Sequence, residues 1–338
     1  MTEPTVARDT FPPLRIGLLG AARIAPNALL KPARAHPEWA SVTAIAARDR
    51  SRAVAMAHTY AILRVHASYA DLVNDPDIDA VYNPLPNSLH APWTIAALRA
   101  GKHVLCEKPI ASNAAEAEAM RQAAEESGAV LMEAFHYRYH PLTLKLLETL
   151  QQGTLGAICH IETTMCIPMF RFNDIRYRHD LAGGALMDVG CYTIHLLRTL
   201  AGSEPKVVSA RAHLMRPQID RAVRAEFQFP GGVSGSIHCS LWSRTLLSAR
   251  VRVQGERGEM TALNPWLPHL FNRFTLSTDH GRTAETVRGD TTYTYQLRAF
   301  TRAVHLGETF PTDPADAIAN MQTIDAVYRA TGLRPRGA

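Results

Sequence analysis

The chain has 338 residues, a formal net charge of +5 and 46% hydrophobic residues. That is length for two domains or one large one, with apolar content for a sizeable core. The charges are scattered without a Lys/Arg block, which argues against nucleic acid as a partner, and no run of about 18 apolar residues argues for a membrane span.

Five cysteines, Cys106, Cys159, Cys166, Cys191 and Cys239, are spread widely with no CxxC pair. This fits reduced thiols in the cytoplasm. His160, His195 and His238 lie near cysteines, but without paired ligand spacing no metal site is expected. Residues 1–13 read as a loose tail rather than a signal peptide.

The first predicted strand is the apolar run Leu14-Arg15-Ile16-Gly17-Leu18-Leu19, ending at Gly20. A helix then begins near Pro26 and is expected to end at Pro32. Gly20, Ala22 and Ala25 occupy the three glycine positions of a GxGxxG turn. Small residues there let backbone approach a pyrophosphate, which the free N–H groups of the next helix bind. Gly20, Ala21, Ala22, Arg23 and Ile24 are therefore candidate cofactor residues, although small residues after a strand also serve packing.

The second strand, Val42 to Ala47, is followed by Arg48 and Asp49. A guanidinium at Arg48 can pair with a 2′-phosphate, which favours NADP. In the alternative, Asp49 holds the ribose and the cofactor is NAD. Further strands are predicted at Asp79–Asn83, at the His103 run and at Ala129–Glu133, with helices at about Leu89–Ala100 and Ala114–Ser127 closed by Gly101 and Gly128. The alternation implies a doubly wound parallel sheet. Three chemically rich stretches follow strand ends: Pro84-Leu85-Pro86-Asn87-Ser88-Leu89-His90, Glu107-Lys108-Pro109, and Glu133 to Pro141, which includes His136 and Arg138. Ligands of such sheets bind at the carboxyl ends of strands, so Lys108 can meet a substrate oxygen.

From about Leu142 the pattern changes to alternating β-rich runs: Ile158–Thr164, Val207–Leu214, Arg224–Phe229, Val233–Leu241 and Ala249–Val253. They read as a mostly antiparallel sheet in an α+β domain. One helix interrupts them, Gly183 to Leu197, and sets Asp188, Tyr192 and His195 at i, i+4 and i+7 on one face. An acid, a phenol and an imidazole on one stripe suit proton transfer; a hydrogen-bonded buried stripe is the other reading. A nearby ammonium would lower the phenol's pKa, and Lys108 is the supplier if the helix faces the crevice. Two helices are expected between Tyr293 and Gly332, the last packing back on the first domain.

With these residues in place the chain resembles the Gfo/Idh/MocA family, the relatives of glucose–fructose oxidoreductase and inositol 2-dehydrogenase. The carrying motifs are Gly17 to Ala25, Pro86-Asn87-Ser88-Leu89-His90, Ala100 to Pro109 with its Glu107-Lys108-Pro109, and Asp188-Val189-Gly190-Cys191-Tyr192. The resemblance implies an NAD(P)-binding Rossmann domain at 14–135. A domain for substrate binding and oligomerisation, with a large open sheet, follows at 136–333 and often forms dimers or tetramers. It assigns Lys108, Tyr192 and Asp188 to catalysis, and Lys108, Asp188, Tyr192 and His195 to the substrate. It gives the cofactor the turn residues named above, with Arg48, Pro84, Leu85, Asn87, His90, Glu107, Lys108 and Arg138.

Tyr192 stands where inositol dehydrogenases usually have histidine. That is similar to glucose–fructose oxidoreductase, xylose dehydrogenase and dimeric dihydrodiol dehydrogenase, which generally prefer NADP. The expected activity is hydride transfer between NADP and a small-molecule sugar or cyclic polyol. The alternatives are an aromatic trans-dihydrodiol, with Phe135, Tyr137, Phe170, Phe172 and Tyr177 lining an apolar pocket, and a regulator that binds NADP or sugar without turnover.

Overall fold

The computed structural model describes residues 11–337. The first ten residues of the expected tail lie outside the described residues. Phe11, within that expected tail, stacks on His305 with ring centroids 4.2 Å apart.

The first sheet has six parallel strands: β1 (Leu14–Leu19), β2 (Ala40–Ala46), β3 (Arg64–Val65), β4 (Ala80–Asn83), β5 (His103–Cys106) and β6 (Leu131–Glu133). Their order is β3-β2-β1-β4-β5-β6. Sequence order reverses between β1 and β4, which opens a crevice at the carboxyl ends of those strands. The strands are short apolar runs because both faces are covered: Leu18, Leu19, Ile45, Val81 and Tyr82 are all fully buried.

The crossovers are α1 (Lys31–Ala35), α2 (Arg50–Tyr60), α3 (Tyr69–Val73), α4 (His90–Arg99) and α5 (Ala114–Ser127). Gly101 and Gly128, just past α4 and α5, take φ of 74° and 69°, the left-handed conformation that ends a helix and suits glycine. Pro32 does not end the first helix. A π turn, Pro26–Leu30, precedes α1, and the Lys31 N–H reaches back to the Pro26 carbonyl. The wider turn delivers Pro32 to the start of α1, where its missing N–H is not needed.

After α6 (Pro141–Gln151) comes a second sheet of eight strands. These are β7 (Ile158–Cys166), β8 (Lys206–Arg216), β9 (Ile219–Gln228), β10 (Ser234–Ser240), β11 (Ser248–Gly255), β12 (Gly258–Leu263), β13 (Arg273–Thr278) and β14 (Gly281–Glu285). The order is β14-β13-β12-β11-β7-β10-β9-β8. All pairs are antiparallel except β7 with β10 at the centre. One face packs on α7 (Cys191–Ala201), through Ile237, Val251 and Leu197. The other face is open and polar, crossed by a row of Arg211, Arg224, His238, Thr164 and Arg250.

Two helices, not one, return to the first sheet. Leu297 and Phe300 of α8 (Thr292–Leu306) join the core of Ile16, Leu18, Ile45 and Tyr82. α9 (Pro314–Ala330) packs against α5, where Asp325 accepts the Ala114 N–H at 3.1 Å, and against α7 and β8 on its other side. Among the described residues no helix is long and apolar enough to cross a membrane.

Candidate active site

The crevice is built from the strand ends. After β1, Gly20 takes φ 80°, and a Cβ there would come within 2.9 Å of Leu85 Cδ2. The positive φ favours glycine, and a side chain there would also make Leu85 shift. Ala21 is buried, Ala22 is half-buried, and Arg23 and Ile24 are exposed. The turn runs directly into the helical segment that starts at Pro26, the place where the sequence reading expects the phosphate.

Beyond β2, Arg48 is exposed. Asp49 Oδ1 accepts from Ser51 N at 3.0 Å, Ser51 Oγ at 2.6 Å and Arg52 N at 3.3 Å, capping α2. The carboxylate proposed as a ribose ligand is thus already engaged. Arg52, which the sequence reading passed over, donates to the Ala21 carbonyl at 2.7 Å and ties α2 to the dinucleotide turn.

After β4, Pro84 and Leu85 are buried. Asn87 donates to the Ala182 carbonyl at 2.9 Å, bridging this loop to the turn that precedes Asp188. His90 lies between the Pro109 carbonyl at 2.8 Å from Nδ1 and the Leu85 carbonyl at 2.7 Å from Nε2. It fixes the loops after β4 and β5 to each other. Burial lowers its pKa to about 4, against the pull of both carbonyls.

After β5, Glu107 is buried and accepts from the Tyr82 hydroxyl at 2.7 Å. Burial raises its pKa, more than the neighbouring Lys108 charge lowers it. Lys108 Nζ donates to the Asp188 backbone carbonyl at 2.8 Å and lies 3.5 Å from Asp188 Oδ1. It sits over the Tyr192 ring, 4.6 Å from the centroid. Lys108, Asp188 and Tyr192 are brought together, although 80 residues separate Lys108 from Asp188.

The helix carrying Asp188 and Tyr192 begins in a π turn, Leu186–Gly190, and continues as α7. The turn enters from Gly183 and Gly184, where any Cβ would strike Arg176 O at 2.6 Å or Asp220 Oδ1 at 2.3 Å. Arg176 is a second cation on Asp188, its Nε 2.7 Å from Oδ2, and it also meets Asp174 at 3.0 Å. Burial works against the Asp188 charge, but Lys108 and Arg176 together pull its pKa below the ordinary value. Burial also works against the Lys108 ammonium, and Asp188, Cys191 and Glu107 more than reverse it. Arg176 lies in a short 3-10 turn, Ile175–Tyr177, and has no local sequence signature; its role comes from the fold.

The phenol differs from expectation. Burial pushes the Tyr192 pKa well above its ordinary value, and Tyr293, Glu107, Cys191 and Asp188 add to this. Lys108 lies over the ring rather than beside the oxygen and is engaged with Asp188. The hydroxyl bonds His136 Nε2 at 2.9 Å. His136 lies within the stretch Glu133 to Pro141, but nothing in its spacing distinguishes it there.

His195 is corrected from a substrate ligand to a buried residue. It is 0% exposed, Nδ1 meets the Tyr137 hydroxyl, and Nε2 lies 2.9 Å from Asp316. Phe135 stands between it and Tyr192, stacked on His195 at 3.9 Å and edge-on to Tyr192 at 5.4 Å. Arg138, expected near the nicotinamide, acts by its charge on Tyr137, Tyr139 and His195. The aromatic set also divides: Phe135, Tyr137 and Tyr177 are core, while Phe170 and Phe172 are 61% and 41% exposed beside Trp242.

Comparison with known proteins agrees with this geometry. Residues 14–135 match the oxidoreductase family with an NAD-binding Rossmann fold, and residues 143–261 match the GFO/IDH/MocA C-terminal domain. The chain belongs to the Gfo/Idh/MocA oxidoreductase family. It is 36% identical over 324 residues to a D-xylose 1-dehydrogenase (NADP(+)) of Haloferax volcanii, covering 94% of this chain and 97% of that one. It is 34% identical over 258 residues to the trans-1,2-dihydrobenzene-1,2-diol dehydrogenase of Mus musculus, covering 75% and 76%. Among solved structures, a 3-ketoreductase from Actinomadura kijaniata, in complex with NADP and TDP-benzene, superposes with a TM-score of 0.88 at 30% identity. That match covers 95% of this chain and 98% of the other.

Proposed function

We propose that this Gfo/Idh/MocA oxidoreductase is NADP-dependent and transfers a hydride between the nicotinamide and a carbinol or carbonyl carbon of a sugar or related cyclic polyol. The observation that carries this reading is the meeting of Lys108, Asp188 and Tyr192 at the end of β5, beside the dinucleotide turn. Two comparisons support it. The Haloferax relative is a xylose dehydrogenase that uses NADP. The Actinomadura ketoreductase has been solved with NADP after replacement of a lysine by alanine and of a tyrosine by phenylalanine, a pair spaced in that chain as Lys108 and Tyr192 are here.

The residues present fit the cofactor. Gly20 to Ile24 form the pyrophosphate cradle, where a Cβ at Gly20 would collide with Leu85. Arg48 and Arg23 are the exposed cations for a 2′-phosphate, and Asp49 is occupied as a cap. Pro84, Leu85, Asn87, His90 and Glu107 shape the inner end of the site. Bound NADP(H) supplies or accepts the hydride.

The rest is done by side chains of this chain. Lys108 donates a hydrogen bond to the substrate oxygen. Tyr192, a protonated phenol at neutral pH, gives its proton to that oxygen in reduction and takes it back in oxidation. Asp188 keeps Lys108 charged and aligned, while Arg176 keeps Asp188 ionised. His195 acts only by supporting Phe135 and Tyr137 behind the phenol.

A second reading, oxidation of aromatic trans-diols, is favoured by one observation: the exposed pair Phe170 and Phe172 around Trp242. The absorbance change of NADPH, measured with aldoses, ketoses, inositols and aromatic diols, each with NADP and NAD, separates the readings. Turnover of a sugar or polyol with NADP is expected. Turnover of diols alone supports the second reading, and tight NADP binding with no turnover supports a regulator. For assembly, the reading is a dimer or tetramer through the open face of the eight-stranded sheet; a monomer at every concentration in sedimentation velocity removes it.

A further inference from the structure

Tyr192 and His136 make a contact that the reaction above does not use. His136 opens the turn after β6 and is 2% exposed. Its Nε2 lies 2.9 Å from the Tyr192 hydroxyl, and its ring packs at 4.2 Å on Tyr293 of α8. Its Nδ1 is buried with no hydrogen-bond partner among the described residues. The groups around the pair are known. Lys108 lies over the phenol ring. Glu107, Asp188, Cys191 and Tyr293 act on the phenol, and Lys108 and His269 act on the imidazole. Tyr137 and Trp266 flank the phenol ring at 6.0 and 6.5 Å. Burial first, then the Lys108 and His269 charges, lower the His136 pKa to about 3, so the ring is neutral.

A neutral imidazole has one N–H. With the proton on Nδ1, a buried donor has no acceptor, which folded proteins rarely tolerate. With the proton on Nε2, the donor meets the phenol oxygen and only a lone pair on Nδ1 is left over. The second arrangement also decides the phenol's own proton. Its oxygen accepts from His136, so its O–H is not spent on His136 and is available to the substrate.

We propose that His136 is a positioning residue whose Nε2–H fixes the Tyr192 oxygen and turns the phenolic proton toward the substrate. The inference rests on the reading of Tyr192 as acid and base. In reduction the Tyr192 O–H bond breaks, an O–H bond forms on the substrate oxygen as the carbon takes the hydride, and the negative charge left on the phenolate oxygen faces the His136 N–H. In oxidation the same donor favours the phenolate that takes the proton.

Two measurements test this. In the first, the unliganded protein carries 15N-histidine, and the His136 signals are assigned by their loss in His136→Gln. NMR near neutral pH should show the Nε2–H tautomer; an Nδ1–H tautomer or an imidazolium overturns the proposal. In the second, oxidation of D-xylose with NADP is followed against pH. His136→Leu should raise the pKa governing kcat by about one unit, the size of one lost hydrogen bond to a charged oxygen, with KM nearly unchanged. His136→Gln, whose amide Nε2 can take the same place, should restore most of the wild-type profile. A leucine variant with the wild-type profile, or a glutamine variant as impaired as leucine, overturns the proposal. Tyr192→Phe is measured beside them. If the wild type does not oxidise xylose, the sugar or polyol turned over in the panel above takes its place; if Tyr192→Phe turns that substrate over at the wild-type rate, the acid–base reading fails instead, and the tautomer alone decides the orientation.

Discussion

Lys108 keeps its charge where burial opposes it. Asp188 is responsible first, with Cys191 and Glu107 behind it. Asp188 in turn is held ionised by Lys108 and Arg176. The sign of a pH effect follows. In Asp188→Asn the attraction is lost, burial prevails, and the Lys108 pKa falls below the wild-type value. The alkaline limb of the activity profile should therefore move to lower pH; a profile that stays in place argues that Lys108 is not the titrating group. Direct removal is more severe. Lys108→Met and Tyr192→Phe should each lower kcat by about 10²–10⁴, the usual worth of a positioned acid or base, with melting close to wild type. Near-normal turnover in both excludes the mechanism. At the other end of the crevice, Arg48→Ala should weaken NADP by about 10- to 100-fold, as the loss of a charge-assisted pair does, and leave NAD nearly unaffected. Equal weakening of both would put the 2′-phosphate elsewhere.

At the scale of the element, the site depends on turns more than on helices. Gly20 makes the first of them. Gly20→Ala places an L-residue at φ 80° and a Cβ 2.9 Å from Leu85. The strain should lower stability by about 1–2 kcal/mol and shift Leu85, so NADP affinity should fall as well. Urea unfolding and a fluorescence titration with NADPH check the two effects, and an unchanged pair of values contradicts the cradle. Turns of this kind were readable where a residue type announces them: Gly20, Gly101 and Gly128 all did. The two π turns were not, because nothing in Pro26–Leu30 or Leu186–Gly190 distinguishes i→i+5 from i→i+4 bonding before packing decides it. The strands divide in the same way. The parallel ones apart from the two-residue β3 read as short apolar runs, whereas β3 and β14, the latter exposed at every position, carry no pattern to read. Lys108, Asp188 and Tyr192 were legible because each sits in a short motif. Arg176 and His136 acquire their roles only through contacts, with Asp188 and Tyr192, that the backbone creates.

The whole molecule is closed by its last segment. α8 covers one face of the parallel sheet, α9 joins α5 to α7, and Arg336 beyond α9 is buried against Asp220 at 2.6 Å beneath the Gly183–Gly184 turn. Such closure buries many titratable rings. His90, His103, His136, His140, His195, His238, His269 and His305 all have pKa values lowered, each by burial first. For His90, His140 and His238 the value is about 4, and for His136 about 3. As pH falls below the unfolded value of 6.5, the unfolded chain binds protons that the fold refuses, so stability present above 6.5 is lost on the way down to about 4. Glu107, Glu133 and Asp325, raised by burial, bind protons in the fold and oppose this. Near pH 5 the four most depressed histidines outnumber those three carboxyls. At least one net proton remains, or about 1.4 kcal/mol per pH unit. Asp316, paired with His195 and Arg198 and lowered to about 2, gives way only in stronger acid. Urea midpoints should therefore fall steadily between about pH 6.5 and 4.5. His136→Leu should flatten the slope by up to one proton, because it removes one of the rings that cannot charge in place. A wild-type midpoint that stays level across that range would mean that these imidazoles reach solvent, and with them the neutral His136 on which the orientation of Tyr192 depends.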